Sequence, residues 1–229
     1  MQSVNELIDR LIDLSFAEDI GDGDHTTLCC IPEDAMGKSH LLIKEDGILA
    51  GVEIAKEVFA RFDPTMVVEV LINDGAKVHR GDIAMVVTGK VRSLLQTERL
   101  MLNIMQRMSG IATMTHRYVE RIEGTGAHVL DTRKTTPGMR MLEKMAVKIG
   151  GGVNHRIGLF DMILLKDNHI DFAGGISNAI NRCHAYLKER NLDLKIEIEV
   201  RNFDELNQVL ECGGVNRIML DNVTVADTK

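Results

Sequence analysis

Along the chain the spacing of apolar residues changes period several times, and each change marks a different element. From Val4 to Phe16 the apolar positions Val4, Leu7, Ile8, Leu11, Ile12 and Phe16 keep helical spacing, which predicts an amphipathic helix over 3–18. Ser3 is its N-cap candidate, with Glu6 placed to close a capping box. The Gly/Asp segment EDIGDGDHTT (18–27) interrupts the pattern; it lacks the regular acidic positions and closing Glu of a calcium loop and reads as a structural turn. From Lys38 to Gly89 short β-type runs follow (HLLIKED, GILAG, MVVEVLI, IAMVVTG) around one helical stretch, VEIAKEVFARF. They predict a compact α+β domain in which Gly75 and Gly81 permit the tight reversals of NDGAKVHRGD. Residues 92–122 return to helical spacing, with a break expected at Ser109-Gly110.

After Gly126 the period alternates between strand and helix. Strands are expected at AHVLD (127–131), MILLK (162–166), KIEIEV (195–200) and RIMLD (217–221). Helices are expected at Met139–Ile149, closed by Gly150-Gly151-Gly152, at Ile176–Arg190, and at Phe203–Cys212, closed by Gly213-Gly214. Strand, helix, strand is the grammar of a parallel sheet with right-handed crossovers. Each strand candidate ends in polar or charged residues: Asp131 to Lys134, Lys166-Asp167, Glu199, and Asp221-Asn222. In parallel α/β folds that edge binds ligands because the loops converge there. A complete eight-stranded barrel takes about 250 residues, and only about half that follows Gly110, so the barrel is expected to be incomplete and truncated at its C-terminal end.

Composition and charge narrow the classes. Hydrophobic residues make up 45% and charged residues 27% of 229, the proportions of an ordinary globular protein. The net charge of −7, 3% aromatics and absence of Trp argue against nucleic acid as a partner. The N-terminus lacks a hydrophobic signal core and no apolar run reaches membrane-spanning length, so no membrane association and a cytoplasmic location are expected. Cys29, Cys30, Cys183 and Cys212 form no CxxC and no regular spacing, which disfavours a zinc site or a disulfide framework.

Against this acidic background, Asp131 to Lys166 holds seven cationic side chains (Arg133, Lys134, Arg140, Lys144, Lys148, Arg156, Lys166) and His155, with three acids, Asp131, Glu143 and Asp161. Like charges so gathered repel unless an anion unites them, so the stretch reads as a polyanion site. Arginines favour bidentate capture of carboxylate or phosphate, and lysines act as compact charges. Glu199 and Asp221, at later strand ends, are hard oxygen donors suited to Mg²⁺. Each piece also has a structural explanation. Glu197 and Glu199 could line an exposed strand face, Asp221 could cap a turn, and His155 could be a structural histidine. Gly150 to Gly152 could be a helix stop, Arg99 a solvated helix charge, and Arg140, Lys144 and Lys148 a helix face. No GxGxxG or GxxxxGK[ST] occurs, and no nucleophile elbow stands out.

The pieces EDIGDGDHTT, TERLMLNIMQRMSGIAT, DTRKTTPGMR, GGGVNHRIGLFD, LLKDNHI, IEIEV and IMLDN occur together and in order, and the chain thereby resembles the quinolinate phosphoribosyltransferase family. The resemblance implies an N-terminal α/β sandwich domain (1–110) and an open parallel α/β barrel with fewer than eight strands (111–229). It implies transfer of phosphoribosyl from phosphoribosyl pyrophosphate to quinolinate, with decarboxylation to nicotinate mononucleotide, in NAD synthesis. Carried over residue by residue, Arg133, His155 and Arg156 would hold the two quinolinate carboxylates, with Lys134 and Lys166 at the junction of the two substrates. Glu199 and Asp221 would face the ribose and Mg²⁺-pyrophosphate. Arg99 would reach into the site of a neighbouring subunit, implying a homodimer or higher homo-oligomer. The family continues beyond LDN with a glycine-rich phosphate segment, which leaves open a non-catalytic anion-binding relative in transport or regulation, or an inactive fragment.

Overall fold

The computed structural model describes residues 3–228, which group into two compact units divided between His155 and Arg156. The first unit opens with helix α1 (Val4–Ile20). Ser3 Oγ accepts from Glu6 N at 3.2 Å while Glu6 Oε2 accepts from Ser3 N at 2.8 Å, so the capping box read from the sequence is formed. The loop expected over 18–27 is shorter. Glu18 to Ile20 extend α1, and Asp24 accepts from Thr27 N at 3.0 Å to start helix α2 (His25–Cys30).

Strands β1 (Met36–Leu42), β2 (Gly47–Ile48), β3 (Val67–Val70), β4 (Lys77–Val78) and β5 (Ile83–Lys90) follow, with helix α3 (Val52–Phe62) between β2 and β3. The antiparallel order β1-β5-β3 places β5 centrally, which explains its nearly continuous apolar run, and β2 pairs with β4. Gly75, at φ +85°, turns back so that its N–H reaches Leu49 O at 2.8 Å.

Helix α4 (Val91–Arg121) runs unbroken through Ser109-Gly110, contrary to the expected break. Ser109 Oγ accepts from Ala50 N at 3.0 Å and donates to Ala50 O at 3.1 Å, so the residue that resembled a breaker instead closes the β2–α3 connection onto α4. Helix α5 (Arg140–Ile149) packs against α4, and one apolar core joins α1, α3, α4, α5 and the sheet. Gly150 stops α5 where the chains nearly touch: a Cβ there would press on Ala112 O and lie 2.8 Å from Thr115 Cβ. Residues 127–131 do not form the expected strand. Leu130 makes a single parallel bridge to Val153, with Val153 N donating to Val129 O at 2.8 Å and Asp131 N to Val153 O at 3.2 Å.

The second unit contains β6 (Ile163–Leu165), α6 (Asp167–Ala173), α7 (Ile176–Arg190), β7 (Ile196–Val200), α8 (Phe203–Cys212) and β8 (Arg217–Leu220). Its sheet is parallel, in the order β6-β7-β8, as expected for part of an open α/β barrel. Ile196, Ile198 and Val200 bury against Ile176, Ile180 and Val209 in a second core. Helix α6 escapes the pattern of apolar spacing because it is two turns long, ended by Gly174 at φ +84°.

Replacing Gly150 by Ala should cost about 1–3 kcal/mol by overpacking against α4. Urea denaturation should show a lowered midpoint at unchanged slope, and an unchanged midpoint would contradict the close approach.

Candidate functional site

In the second unit the parallel register decides which side chains meet. Leu165 pairs with Ile198, and Glu199 with Met219. Lys166, one residue beyond β6, therefore comes level with Glu199, while Asp221, two beyond Met219, returns to the same face. Lys166 Nζ donates to Glu199 Oε1 at 2.7 Å; the lysine is 45% exposed and the glutamate 18%. Lys166 N also donates to His169 Nδ1 at 3.0 Å, which holds the strand end against the start of α6. Asp221 is exposed; its N–H donates to Val200 O at 3.0 Å, and one of its oxygens accepts from Asn222 Nδ2 at 3.0 Å.

The exposed-face explanation of Glu197 and Glu199 fails. Glu197 is fully buried and pairs with Arg217 Nη1 at 3.0 Å, on the same sheet face as Glu199. Arg201, just past β7, was not picked out by sequence reasoning. Its guanidinium bonds Glu205 at 2.7 Å and Asp171 at 3.1 and 3.3 Å, tying the strand end to α8 and α6. Those bonds, to Glu205 first, push Arg201 up and hold the Glu205 carboxyl below its usual range. An acidic residue four places after Arg201 was the available signal. Arg156 is buried, with Nη1 donating to Met162 O at 3.3 Å.

In the first unit the organising contact is the buried pair of Lys144 Nζ and Asp131 Oδ1, whose side chains are 3% and 7% exposed. The same aspartate oxygen accepts from His155 N at 2.8 Å, and Lys144 donates to His155 O at 3.1 Å. The helix-face reading of Lys144 is thus corrected: three successive residues of α5, Leu142 to Lys144, are buried, so more than one side of the helix is covered. Arg140 is likewise engaged, donating to Thr135 Oγ1 at 3.0 Å and to Arg133 O at 3.4 Å, and Lys148 is exposed as expected. Arg133 is half-buried with its Nε shielded from solvent and without a hydrogen-bond partner, Lys134 is exposed, and His155 is half-buried. Arg107 Nη2 donates to Glu143 Oε1 at 2.6 Å and Thr136 Oγ1 at 2.9 Å, bracing the loop that carries Arg133. Burial works to raise the Glu143 carboxyl, but the Arg107 and Thr136 hydrogen bonds outweigh it and hold the group below the usual glutamate range. Arg99 is exposed on α4, where it lines a cavity of 370 Å³ together with Arg107, Thr136 and Glu18. The glycine run Gly150–Gly152 packs on Thr115 and Val119 of α4 and serves as a helix stop.

Fold and strand-end chemistry together define a mixed α/β protein with a cationic loop and a carboxylate-bearing sheet edge. Residues 24–109 match the family described as quinolinate phosphoribosyl transferase, N-terminal domain, and residues 111–229 match its C-terminal domain. The chain is 48% identical over 221 residues to quinolinate phosphoribosyltransferase (decarboxylating) 1b of Nicotiana tabacum, covering 94% of this chain and 63% of that protein. It is 46% identical over 221 residues to the chloroplastic nicotinate-nucleotide pyrophosphorylase (carboxylating) of Arabidopsis thaliana, with the same coverage of 94% and 63%. The crystal structure of NadC from Streptococcus pyogenes superposes with a TM-score of 0.91 at 37% identity, covering 100% of this chain and 79% of that one. The chain belongs to the quinolinate phosphoribosyltransferase family. It spans 63% of the length of the two curated plant relatives. Among the described residues no helix is long and apolar enough to cross a membrane.

Asp131→Ala would leave Lys144 buried and unpaired, and should lower unfolding free energy by about 3–5 kcal/mol; a loss under about 1 kcal/mol in urea denaturation would refute the role given to the pair. Glu143 has a lowered folded pKa, so its contribution is present above the unfolded value and is lost as pH falls through the folded one. Glu143→Gln should therefore lower stability at neutral pH and flatten the acid limb of stability against pH, below about pH 4.3; an acid limb as steep as wild type would contradict this.

Proposed function

We propose that this protein catalyses transfer of the phosphoribosyl group from phosphoribosyl pyrophosphate to quinolinate, with decarboxylation to nicotinate mononucleotide, pyrophosphate and carbon dioxide, as a pentosyltransferase of NAD synthesis. The observation that carries the reading is the Lys166–Glu199 pair at the sheet edge, with Asp221 on the same face. Family membership supports it.

The quinolinate nitrogen displaces pyrophosphate at C1 of the ribose, and positive charge grows on the sugar. Glu199 and Asp221 stabilise that charge, so no protein nucleophile is needed. Lys166 holds Glu199 in place before substrate arrives. Arg133, His155 and Arg156 bind the two ring carboxylates; the shielded, partnerless Nε of Arg133 is the kind of donor such a carboxylate would satisfy. Carbon dioxide then leaves from the ring carbon beside the nitrogen, and the electron pair left there takes a proton while Lys134 and Lys166 offset the developing negative charge. The donor set fits Mg²⁺ held by one or two carboxylates, Glu199 and Asp221, together with diphosphate oxygens. When bound, the ion neutralises the departing pyrophosphate. Arg99, exposed on α4, supplies a further cation to the site of a neighbouring subunit, so the working form is a homodimer or higher homo-oligomer, located in the cytoplasm.

The protein, given quinolinate, phosphoribosyl pyrophosphate and Mg²⁺, should release carbon dioxide and pyrophosphate in equal amounts. Glu199→Gln should lower kcat by about 10²–10³-fold with little change in the KM for quinolinate. Turnover of nicotinate but not quinolinate would refute the reading, as would full activity of the variant.

A further inference from the structure

Cys29 and Cys30 end α2, and both are exposed. Neighbouring residues of a helix point away from one another, yet these two sulfurs approach to 3.4 Å. They can do so because the helix stops here: Ile31 already has an extended backbone, at φ −108° and ψ 125°. The end is also held from outside. Arg92 donates through Nε to Ile31 O at 2.9 Å and through Nη2 to Leu28 O at 3.3 Å, capping carbonyls that the helix leaves unsatisfied. Cys29 Sγ has a further contact with Thr26 O at 3.4 Å. The two thiols thus face the solvent side by side on a helix end anchored by Arg92. Among the described residues no other pair of cysteines is in contact: Cys183 is half-buried on α7, and Cys212, at the end of α8, lies 4.0 Å from Ser177 Oγ.

We propose that Cys29 and Cys30 form a vicinal dithiol site for soft, thiophilic trivalent arsenicals, which the pair chelates through both sulfurs. In the balanced reaction an organoarsenic(III) dihydroxide exchanges two As–O bonds for two As–S bonds. Each thiol proton leaves on a departing hydroxyl, two waters are released, and the arsenic remains trivalent, so no oxidant or reductant takes part. Chelation draws on sulfurs already adjacent, so the second As–S bond forms within the chain at high effective concentration. This strengthens binding by roughly 10²–10⁴-fold over a single thiol. The hydrogen bond with Cys29, followed by burial, pushes the Cys30 thiol up.

Phenylarsine oxide, added in equimolar amount to the reduced protein, is the probe. One adduct per chain should appear by intact mass, and two of the four thiols should vanish in a titration of the denatured adduct. A dithiol such as 2,3-dimercaptopropanol should reverse the adduct, while an equal concentration of monothiol should not. Cys29→Ser and Cys30→Ser should each weaken binding by at least about 10²-fold. The Cys183→Ser/Cys212→Ser double variant should bind as wild type, and thermal melting should confirm that all variants fold. Wild-type affinity in either single variant, loss of affinity in the double variant, or equal reversal by the monothiol would overturn the proposal.

Discussion

The buried contact between Lys144 and Asp131 is the constraint on which the first unit's cationic loop depends. Two opposite charges removed from water are tolerable only when their remaining hydrogen-bonding capacity is met. Here the aspartate also receives the His155 amide, and the ammonium also reaches the His155 carbonyl. One ion pair therefore links three segments: the end of the 127–131 stretch, helix α5, and the turn carrying His155. Arg133 and Lys134 follow Asp131 directly, so their backbone leaves from an anchored point. Arg140 and the Arg107–Glu143–Thr136 group hold the far side of the same loop.

In the second unit the corresponding constraint is register. A parallel ladder with Leu165 against Ile198 and Glu199 against Met219 sets Lys166, Glu199 and Asp221 at one end of one face. A slip of one residue would turn Glu199 into the core and Ile198 outward, at a cost in buried apolar area that the sequence makes large. The apolar residues of β7 thus enforce the position of its polar ones. Arg201 and Arg217 extend the same logic, neutralising acidic groups around the strand without occupying its end.

The local charge reversal is more economical than it looks in the sequence. Of the cations between Asp131 and Lys166, Lys144 is consumed by Asp131, Arg140 supports the loop backbone, and Lys148 faces solvent. Arg133 retains a shielded donor with no protein acceptor, and Lys166 is paired but nearly half exposed. The groups left with capacity for an anion are therefore fewer than a charge count suggests.

What the sequence determined by itself was the order and kind of most elements, because apolar periodicity and capping residues act over a few positions: Ser3 with Glu6, the α3 stretch and the three parallel strands could all be read locally. The family motifs likewise named the strand-end residues. Only the tertiary structure decided what depends on partners distant in the chain. Ser109 reads as a breaker until Ala50 supplies both of its hydrogen bonds. Residues 127–131 read as a strand, but in the fold Leu130 makes only a single bridge, to Val153. Lys144 reads as a surface charge until Asp131 meets it in the interior, and Glu197 until the fold buries it beneath the half-exposed Arg217. A charge carries no mark of its counter-ion in its local sequence, so burial and pairing, and with them the division between structural and ligand-facing cations, are settled only when the chain is folded.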